Sequence, residues 1–182
     1  MRATLIGAVF GLVYVMVNAG AVPGAASVML RVLAIAAFVG AVVALLRTGV
    51  IGRSDRVAPD RTAFGRGYWM VAAAEVAGVV AGNLVLVRVL PGTRAPLAWV
   101  TFVVGVHFFG LAAVWQLGFF RRLGAVLAVL GAAGLVLAAT GARDATVAVV
   151  AGVAPGLALL AVAYRLPLLR RRTGAGPAAS SD

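Results

Sequence analysis

The sequence predicts an all-α membrane protein, folded as a bundle of six transmembrane helices with both termini in the cytoplasm. Three observations predict this class: apolar residues form long runs, charged residues lie mostly between those runs, and most charged residues are arginine. Hydrophobic residues make up 63% of the 182 residues and charged residues 12%, and the mean hydropathy is +1.08. Soluble domains are about 45–50% apolar and about 25% charged. Most of this chain is therefore expected to face lipid or other lipid-buried helices.

Six apolar runs are candidates for membrane spans, because a helix that crosses about 30 Å of hydrocarbon needs about 20 residues. The predicted spans cover residues 3–18, 27–46, 68–90, 97–120, 123–140 and 145–164. Together they form a single transmembrane domain over residues 1–169. The small, polar segment 173–182 is expected to be a disordered cytoplasmic tail.

The first span has a second interpretation, as a cleaved signal peptide. Arg2 precedes its apolar run, and the small residues at 18–21 are typical of a cleavage site. The unbroken apolar stretch 5–17 and the five runs that follow it favour an uncleaved first helix.

The distribution of arginine predicts the orientation. Twelve arginines lie at one set of helix ends and four at the other, and basic residues are retained on the cytoplasmic side. The cytoplasmic set is Arg2, Arg47, Arg53, Arg56, Arg61, Arg66, Arg121, Arg122, Arg165, Arg170, Arg171 and Arg172, and the external set is Arg31, Arg88, Arg94 and Arg143. The net charge of +11 therefore reflects topology and does not indicate a nucleic-acid partner.

Composition excludes several kinds of chemistry. Without cysteine there are no disulfides or thiolate metal sites. No HExxH motif occurs, and no serine lies within a span near the single histidine. We predict no cofactor and no metal, and the residues do not favour an enzyme. Abundant Ala, Gly, Val and Arg without Lys are typical of bacterial coding, so we expect a bacterial cytoplasmic (inner) membrane.

Three polar residues inside the spans form the candidate site: Glu75 and Asn83 in the third span and His107 in the fourth. Glu75 and His107 are the only glutamate and histidine in the chain. A charge at the bilayer centre costs on the order of 2.5–3.5 kcal/mol, so Glu75 should face the bundle interior. Gly78 and Gly82 share its helical face, and their GxxxG spacing predicts that another backbone approaches there.

The depths of these residues predict how they meet. Counting from a turn at about residues 92–95 places Glu75 about eighteen residues deep and His107 about thirteen, an offset of about 7 Å along the axis. That is too far for a direct hydrogen bond in ideal geometry. We therefore favour a polar cavity shared with Asn83, and a direct Glu75–His107 contact is the other arrangement.

Two further features concern helix geometry. Pro155 lies inside the sixth span beside Gly152 and Gly156, where it should kink the helix and free a backbone carbonyl. Trp99 lies near the outer end of the fourth span, where an indole ring is expected at the membrane interface.

Two stretches resemble a known group of proteins: EVAGVVAGN at Glu75–Asn83 and GVHFFGLA at Gly105–Ala112. They are similar to an uncharacterised family of small bacterial six-helix membrane proteins. In that family a Gly-x-His-Phe-x-Pro-Leu-Ala stretch follows a helix with a membrane-embedded glutamate. The resemblance covers Tyr68 to about Gln116 and implies the fold and the importance of Glu75 and His107, but no reaction. It departs at Gly110, where the family pattern has proline.

Function is predicted from the polar residues alone. Glu75 and His107 can titrate and are desolvated, which predicts a proton- or cation-handling site and thus proton-coupled or small-solute transport. The other interpretation of Glu75 and His107 is purely structural, as an interhelical hydrogen bond. The alternative function is a structural or interaction subunit that forms a homo-oligomer, or binds a membrane partner, through its glycine-rich helix faces. Beyond these the expected partner is the lipid bilayer.

Overall fold

The computed structural model describes residues 2–47, 65–115 and 118–174, and every regular element in these ranges is helical. The elements are α1 (Arg2–Asn18), a short 3-10 turn (Ala19–Ala21), α2 (Ala25–Arg47), α3 (Arg66–Val89), α4 (Ala95–Trp115), α5 (Gly118–Ala139), α6 (Asp144–Ala148), a π-helical segment (Val149–Val153) and α7 (Ala154–Gly174). The predicted all-α class is confirmed for this part of the chain. Most of the predicted tail and of the connector between the second and third spans lies outside the described residues.

Five helical stretches are long and apolar enough to cross a membrane. They are Ala25–Arg47, Arg66–Val89, Ala95–Val114, Gly118–Ala139 and Asp144–Tyr164, and α1 contributes a shorter apolar stretch over Gly7–Ala21. The last stretch combines α6, the π segment and the first part of α7 into one continuous helix. The described chain therefore has the length and composition of a multi-pass membrane protein.

Helix ends are set by turn chemistry. Gly24, Gly92 and Gly141 have φ of 68°, 74° and 75°, in the left-handed region that glycine adopts at little cost. These three glycines stand in the turns after α1, α3 and α5, which are the turns predicted to be external. At the other end, α4 ends at Trp115 and α5 begins at Gly118, so residues 118–120, predicted in the fourth span, belong to α5.

Small residues bring the helices of the bundle together. A Cβ atom on Gly105 of α4 would collide with the backbone of Ala128 in α5. In the same way, a Cβ on Gly11 of α1 would lie 2.7 Å from the carbonyl oxygen of Gly156 in α7. Backbones this close gain dispersion contacts and need no large side chains, as is usual for helices packed in membranes. The α4–α5 and α1–α7 pairs form the tightly packed part of the molecule.

Helix α3 is different because it packs chiefly on α4 and has no fully buried residue. Large apolar side chains on its outer surface, such as Val76, Val80 and Leu84, are 53–63% exposed. In a membrane protein this surface faces lipid or another membrane protein. The contacts that hold α3 are therefore concentrated on the face that meets α4.

The sixth span leaves α-helical geometry just before Pro155. The N–H of Ala154 donates to the carbonyl of Val149, a five-residue bond typical of a π turn. Pro155 has no N–H, so it cannot bond the carbonyl of Ala151, the usual partner four residues earlier. The Thr101 hydroxyl of α4 donates to that carbonyl at 2.6 Å, with both groups buried. The predicted free carbonyl is thus present, and another helix satisfies it.

This arrangement makes Thr101 and Pro155 energetically coupled. Thr101→Val should lower the free energy of unfolding by about 1 kcal/mol, because the Ala151 carbonyl loses its donor. In a Pro155→Ala background the restored N–H can serve that carbonyl, so Thr101→Val should cost less. Unfolding of the four proteins in one detergent measures this double-mutant cycle.

The matched control is Thr140→Val. The Thr140 hydroxyl is exposed and bonds only carbonyls of its own helix, at 3.0 Å from Val136 and 3.1 Å from Leu137. Its loss should change stability little. An equal cost of Thr101→Val in both backgrounds would contradict the coupling.

Candidate functional site

The candidate site centres on a contact between α3 and α4. The His107 Nδ1 atom lies 3.0 Å from the Glu75 Oε2 atom. The His107 side chain is 14% exposed and the Glu75 side chain 26% exposed, so both are largely withdrawn from the surface. The only glutamate and the only histidine of the chain therefore meet within two apolar helices.

The offset of about 7 Å between the two residues, expected from the sequence, is wrong. Glu75 lies 14 residues before Val89, where α3 ends, and His107 lies 12 residues after Ala95, where α4 begins. Measured from the helix ends, the offset is two residues, or about 3 Å. The sequence-based count included turn residues, which add no helical rise, and the side chains span the remaining difference.

The pair is a close contact of two ionisable side chains whose geometry is not that of an aligned hydrogen bond. The His107 Nδ1 atom is buried and makes no hydrogen bond of good geometry within the described part of the chain. The imidazole lies edge-on to the Phe108 ring, with 6.0 Å between centroids and 74° between planes. A carboxylate and an imidazole this close can hold one proton between them on either group.

A third helix brings Tyr14 to the site. The Tyr14 phenol lies beside the Thr101 hydroxyl and within electrostatic reach of Glu75. The phenol oxygen is buried but lacks a hydrogen bond of good geometry. Helix α1 ends just beyond it, where the Asn18 side-chain amide donates to the Tyr14 carbonyl at 2.8 Å. Tyr14 was not among the residues predicted from the sequence. Its only signal there is a hydroxyl within an apolar run, and nothing in the spacing shows that α1 faces α4.

Asn83 lies in a different place from the pair. It follows Glu75 by eight residues, about 12 Å along α3. There it lines a groove of about 400 Å³ between α1 and α3, together with Tyr14 and Asn18. Glu75 and His107 are not among the residues that line this groove. The structure thus brings two of the three predicted residues together, and the third lies with Tyr14 in a separate groove.

The glycine face of α3 does point at α4, but a side chain fills the space predicted for a backbone. A Cβ on Gly82 would overlap the Trp99 indole, and the Trp99 Nε1–H donates to the Gly78 carbonyl at 2.9 Å. Trp99, which was predicted near the outer end of the fourth span, packs between the two helices close to the start of α4. Farther along α4, a Cβ on Gly110 would lie 2.7 Å from Val71 of α3. Helix α4 continues through Gly110, where the family pattern has proline.

Comparison of the chain with protein-family models, with curated proteins and with solved structures returned no match. Within the described residues no three His, Cys, Asp or Glu side chains lie together as metal ligands would. The chemistry of the site therefore has to be argued from the pair itself and from its neighbours.

The packing of the Trp99 indole against Gly82 predicts a difference between two substitutions on one face of α3. Gly82→Ala should lower the free energy of unfolding by about 1–3 kcal/mol, because the new methyl group displaces the indole from α3. Gly78→Ala places a Cβ 3.7 Å from Val103, an ordinary contact, so its stability should stay within about 1 kcal/mol of the parent. Unfolding in detergent measures both values.

A second measurement follows the indole itself. In a Trp69→Phe, Trp115→Phe background, the remaining fluorescence comes from Trp99, and Gly82→Ala should shift its emission while Gly78→Ala should not. Equal effects of the two alanine substitutions would contradict the packing of Trp99 against Gly82.

Proposed function

We propose that this chain is a six-span protein of a bacterial cytoplasmic membrane, in which Glu75 and His107 form a proton-binding site that couples proton movement to transport of a small solute. The observation that carries the proposal is the 3.0 Å contact between these two ionisable side chains inside apolar helices. Ionisable groups at membrane depth are costly, and they usually mark ion or proton pathways.

The chemistry of the pair supports coupling to movement. With one shared proton, the carboxylate and imidazole together carry no net charge. Loss of that proton leaves a net negative charge within the membrane, which is unfavourable unless the groups reach water. Helix α3 carries Glu75, none of its described residues is fully buried, and its contacts are concentrated on the face that meets α4. Protonation can therefore bias the position of α3 relative to α4.

Local geometry also supports a bundle that can change shape. The π segment at Val149–Val153 and the following Pro155 form a point where the sixth span can bend. This point is linked to α4 through the Thr101 hydroxyl, six residues from His107. Bending there and protonation at the pair act on the same helix.

The proposed orientation, with both termini in the cytoplasm, is supported by the twelve-to-four distribution of arginines. We also infer kinship with the uncharacterised six-helix family that residues 75–83 and 105–112 resemble. Neither argument names a solute. In the proposed orientation the pair lies within the membrane, closer to the cytoplasmic ends of α3 and α4.

Orientation can be tested directly because the chain has no cysteine. Single variants Thr140→Cys, in the exposed end region after α5, and Ser181→Cys, in the tail, should behave differently toward a membrane-impermeant maleimide. On intact cells we expect labelling of Thr140→Cys alone. Ser181→Cys should react only after the membrane is opened. The reverse pattern would contradict the orientation.

Proton handling can be tested in reconstituted vesicles that contain a pH-sensitive dye. Under an imposed pH gradient, Glu75→Gln and His107→Asn should each lower protein-dependent proton flux at least about tenfold, because one of the two proton-binding groups is lost. The matched control is Asp144→Asn, which removes an exposed carboxylate at the start of α6 and should leave the flux unchanged. Unchanged flux in all three variants would contradict the proposal.

A structural or interaction subunit is the second candidate function. It is favoured by α3, whose apolar surface has little cover within the chain. A second copy or another membrane protein would bury that surface. Native mass spectrometry and crosslinking in membranes test this candidate. Recovery of monomers alone, with no partner, would count against it.

A further inference from the structure

The interface between α3 and α4 consists of layers, and the Glu75–His107 pair is the polar layer in the middle. Because the two helices run antiparallel, each turn of one faces a turn of the other. Water that approaches the pair along this interface has to pass apolar layers on either side. In order from the Gly92 turn, which the arginine distribution predicts to be external, the layers are Gly82 with Trp99, Gly78 with Val103, Glu75 with His107, Gly110 with Val71, and Gly67 with Val114.

We propose that the Trp99 indole is the outer gate of this interface. It closes the path between the outer end of the two helices and the Glu75–His107 pair, and the path opens when the ring leaves α3. The inference rests on the proposed function, because a proton site that drives transport needs access that alternates between the two sides of the membrane. Trp99 is then a gating residue that controls proton access without binding the proton.

The position of the indole suits this task. Trp99 precedes His107 by eight residues, which is about 12 Å along α4 toward the outer end. It is the largest side chain in the apolar layers. A Cβ on Gly82 would overlap the ring, so the indole rests directly on the backbone of α3. A hydrophobic constriction of this kind excludes water and can gate a path by doing so.

The contact that holds the ring is one that can be released. The Trp99 Nε1–H donates to the Gly78 carbonyl at 2.9 Å. Helix α3 is continuous through this point, so the same carbonyl is also within the helical ladder and accepts the Gly82 N–H. Departure of the indole therefore leaves only its own N–H without a partner. Interhelical hydrogen bonds in membranes are weak on average, so the closed position is favoured without being locked.

A second groove gives the ring a place to go. It has a volume of about 530 Å³, lies between α3 and α5, and is already lined on one side by Trp99. The other lining residues are apolar, among them Leu86, Leu135 and Ala139. An indole that turns into this groove stays in apolar surroundings and leaves the α3–α4 interface. The open position therefore costs the hydrogen bond to Gly78 but no burial of apolar surface.

The inner part of the interface offers a lower barrier. Glu75 lies 9 residues after Arg66 and 14 before Val89, so the pair is closer to the inner end of α3. No ring stands in the two inner layers, where valine faces glycine. The groove between α1 and α3 gives no other outer path, since neither Glu75 nor His107 lines it. Trp99 is therefore the main obstacle between the pair and the outer side.

The test uses a single thiol, because the chain has no cysteine. Val103→Cys places the thiol between Trp99 and the pair. A thiol reacts as the thiolate, which forms where water reaches it. A small, membrane-impermeant methanethiosulfonate is added to intact cells and to inverted membrane vesicles, and Thr140→Cys, in the exposed turn after α5, identifies the outer side. We expect Val103→Cys to react slowly from that side.

Two changes should open the gate. Gly82→Ala pushes the indole off α3, and Trp99→Phe removes the N–H donor but keeps a ring. Combined with Val103→Cys, each should raise the labelling rate from the outer side at least about tenfold. Gly82→Ala adds atoms to the interface, so faster labelling cannot come from an emptied cavity. The matched control is Gly78→Ala on the same face of α3, which should leave the rate within about twofold of the parent.

The gate is overturned if the outer labelling rate is the same in the parent, Gly82→Ala and Trp99→Phe. It is also overturned if Gly78→Ala raises the rate as much as Gly82→Ala does, or if the two changes raise labelling from the inner side alone. Size-exclusion chromatography and circular dichroism identify a variant that fails to fold, and Trp99→Phe, the smaller change, decides the question if Gly82→Ala is lost.

The labelling also separates the gate from the transport proposal, because it needs no pH gradient. Proton flux is measured separately, in the parent and in Glu75→Gln. If labelling responds to the gate variants but Glu75→Gln leaves flux unchanged, the transport proposal alone is rejected. If Glu75→Gln lowers flux but labelling ignores the gate variants, the gate alone is rejected.

Discussion

Inside the hydrocarbon of a membrane no water is available to pair with polar groups, so each of them must find a partner within the protein. Three interhelical contacts in this bundle follow from that constraint. Thr101 supplies the donor that Pro155 removes from the Ala151 carbonyl. The Trp99 indole donates to the Gly78 carbonyl, and Glu75 meets His107. All three involve α4, which stands between the tightly packed helices and α3.

Two kinds of packing meet along α4. On one side glycines such as Gly105 and Gly124 let α4 and α5 approach backbone to backbone. On the other side α3 meets α4 through the Trp99 indole, the Glu75–His107 contact and apolar contacts such as Val71 with Gly110, and none of its described residues is fully buried. Backbone-to-backbone packing characterises the first interface, and side chains fill the second. A change of charge at Glu75 or His107 therefore acts on the α3–α4 interface.

The polar residues of the helices lie in two regions of the bundle. Asn83 and Asn18 lie toward the predicted outer ends of their helices, and the Glu75–His107 pair lies deeper. Tyr14 lines the groove, and its phenol lies beside the Thr101 hydroxyl. The groove and the pair differ in chemistry, because the groove is lined by neutral side chains and the pair consists of two ionisable ones.

The sequence by itself predicted lipid surroundings for most of the chain, the all-α fold class and most of the helix positions. These follow from properties of single segments: apolar length, turn glycines and the face shared by Glu75, Gly78 and Gly82. It also determined that Pro155 frees a carbonyl, because that effect is local to one helix. Which group satisfies the carbonyl could not be read from the sequence, since Thr101 lies fifty residues away.

The tertiary structure alone decided how the polar residues meet. Periodicity gives the face of a helix but not its vertical position against a neighbour, which depends on where the turn begins and ends. The difference between the predicted and observed ends of α3 and α4 changed the offset of Glu75 and His107 from five residues to two. The same limit hid Tyr14, because its position beside Thr101 depends on the packing of segments distant in the chain. Faces were therefore predictable from local spacing, whereas partners were set by the packing of segments distant in the chain.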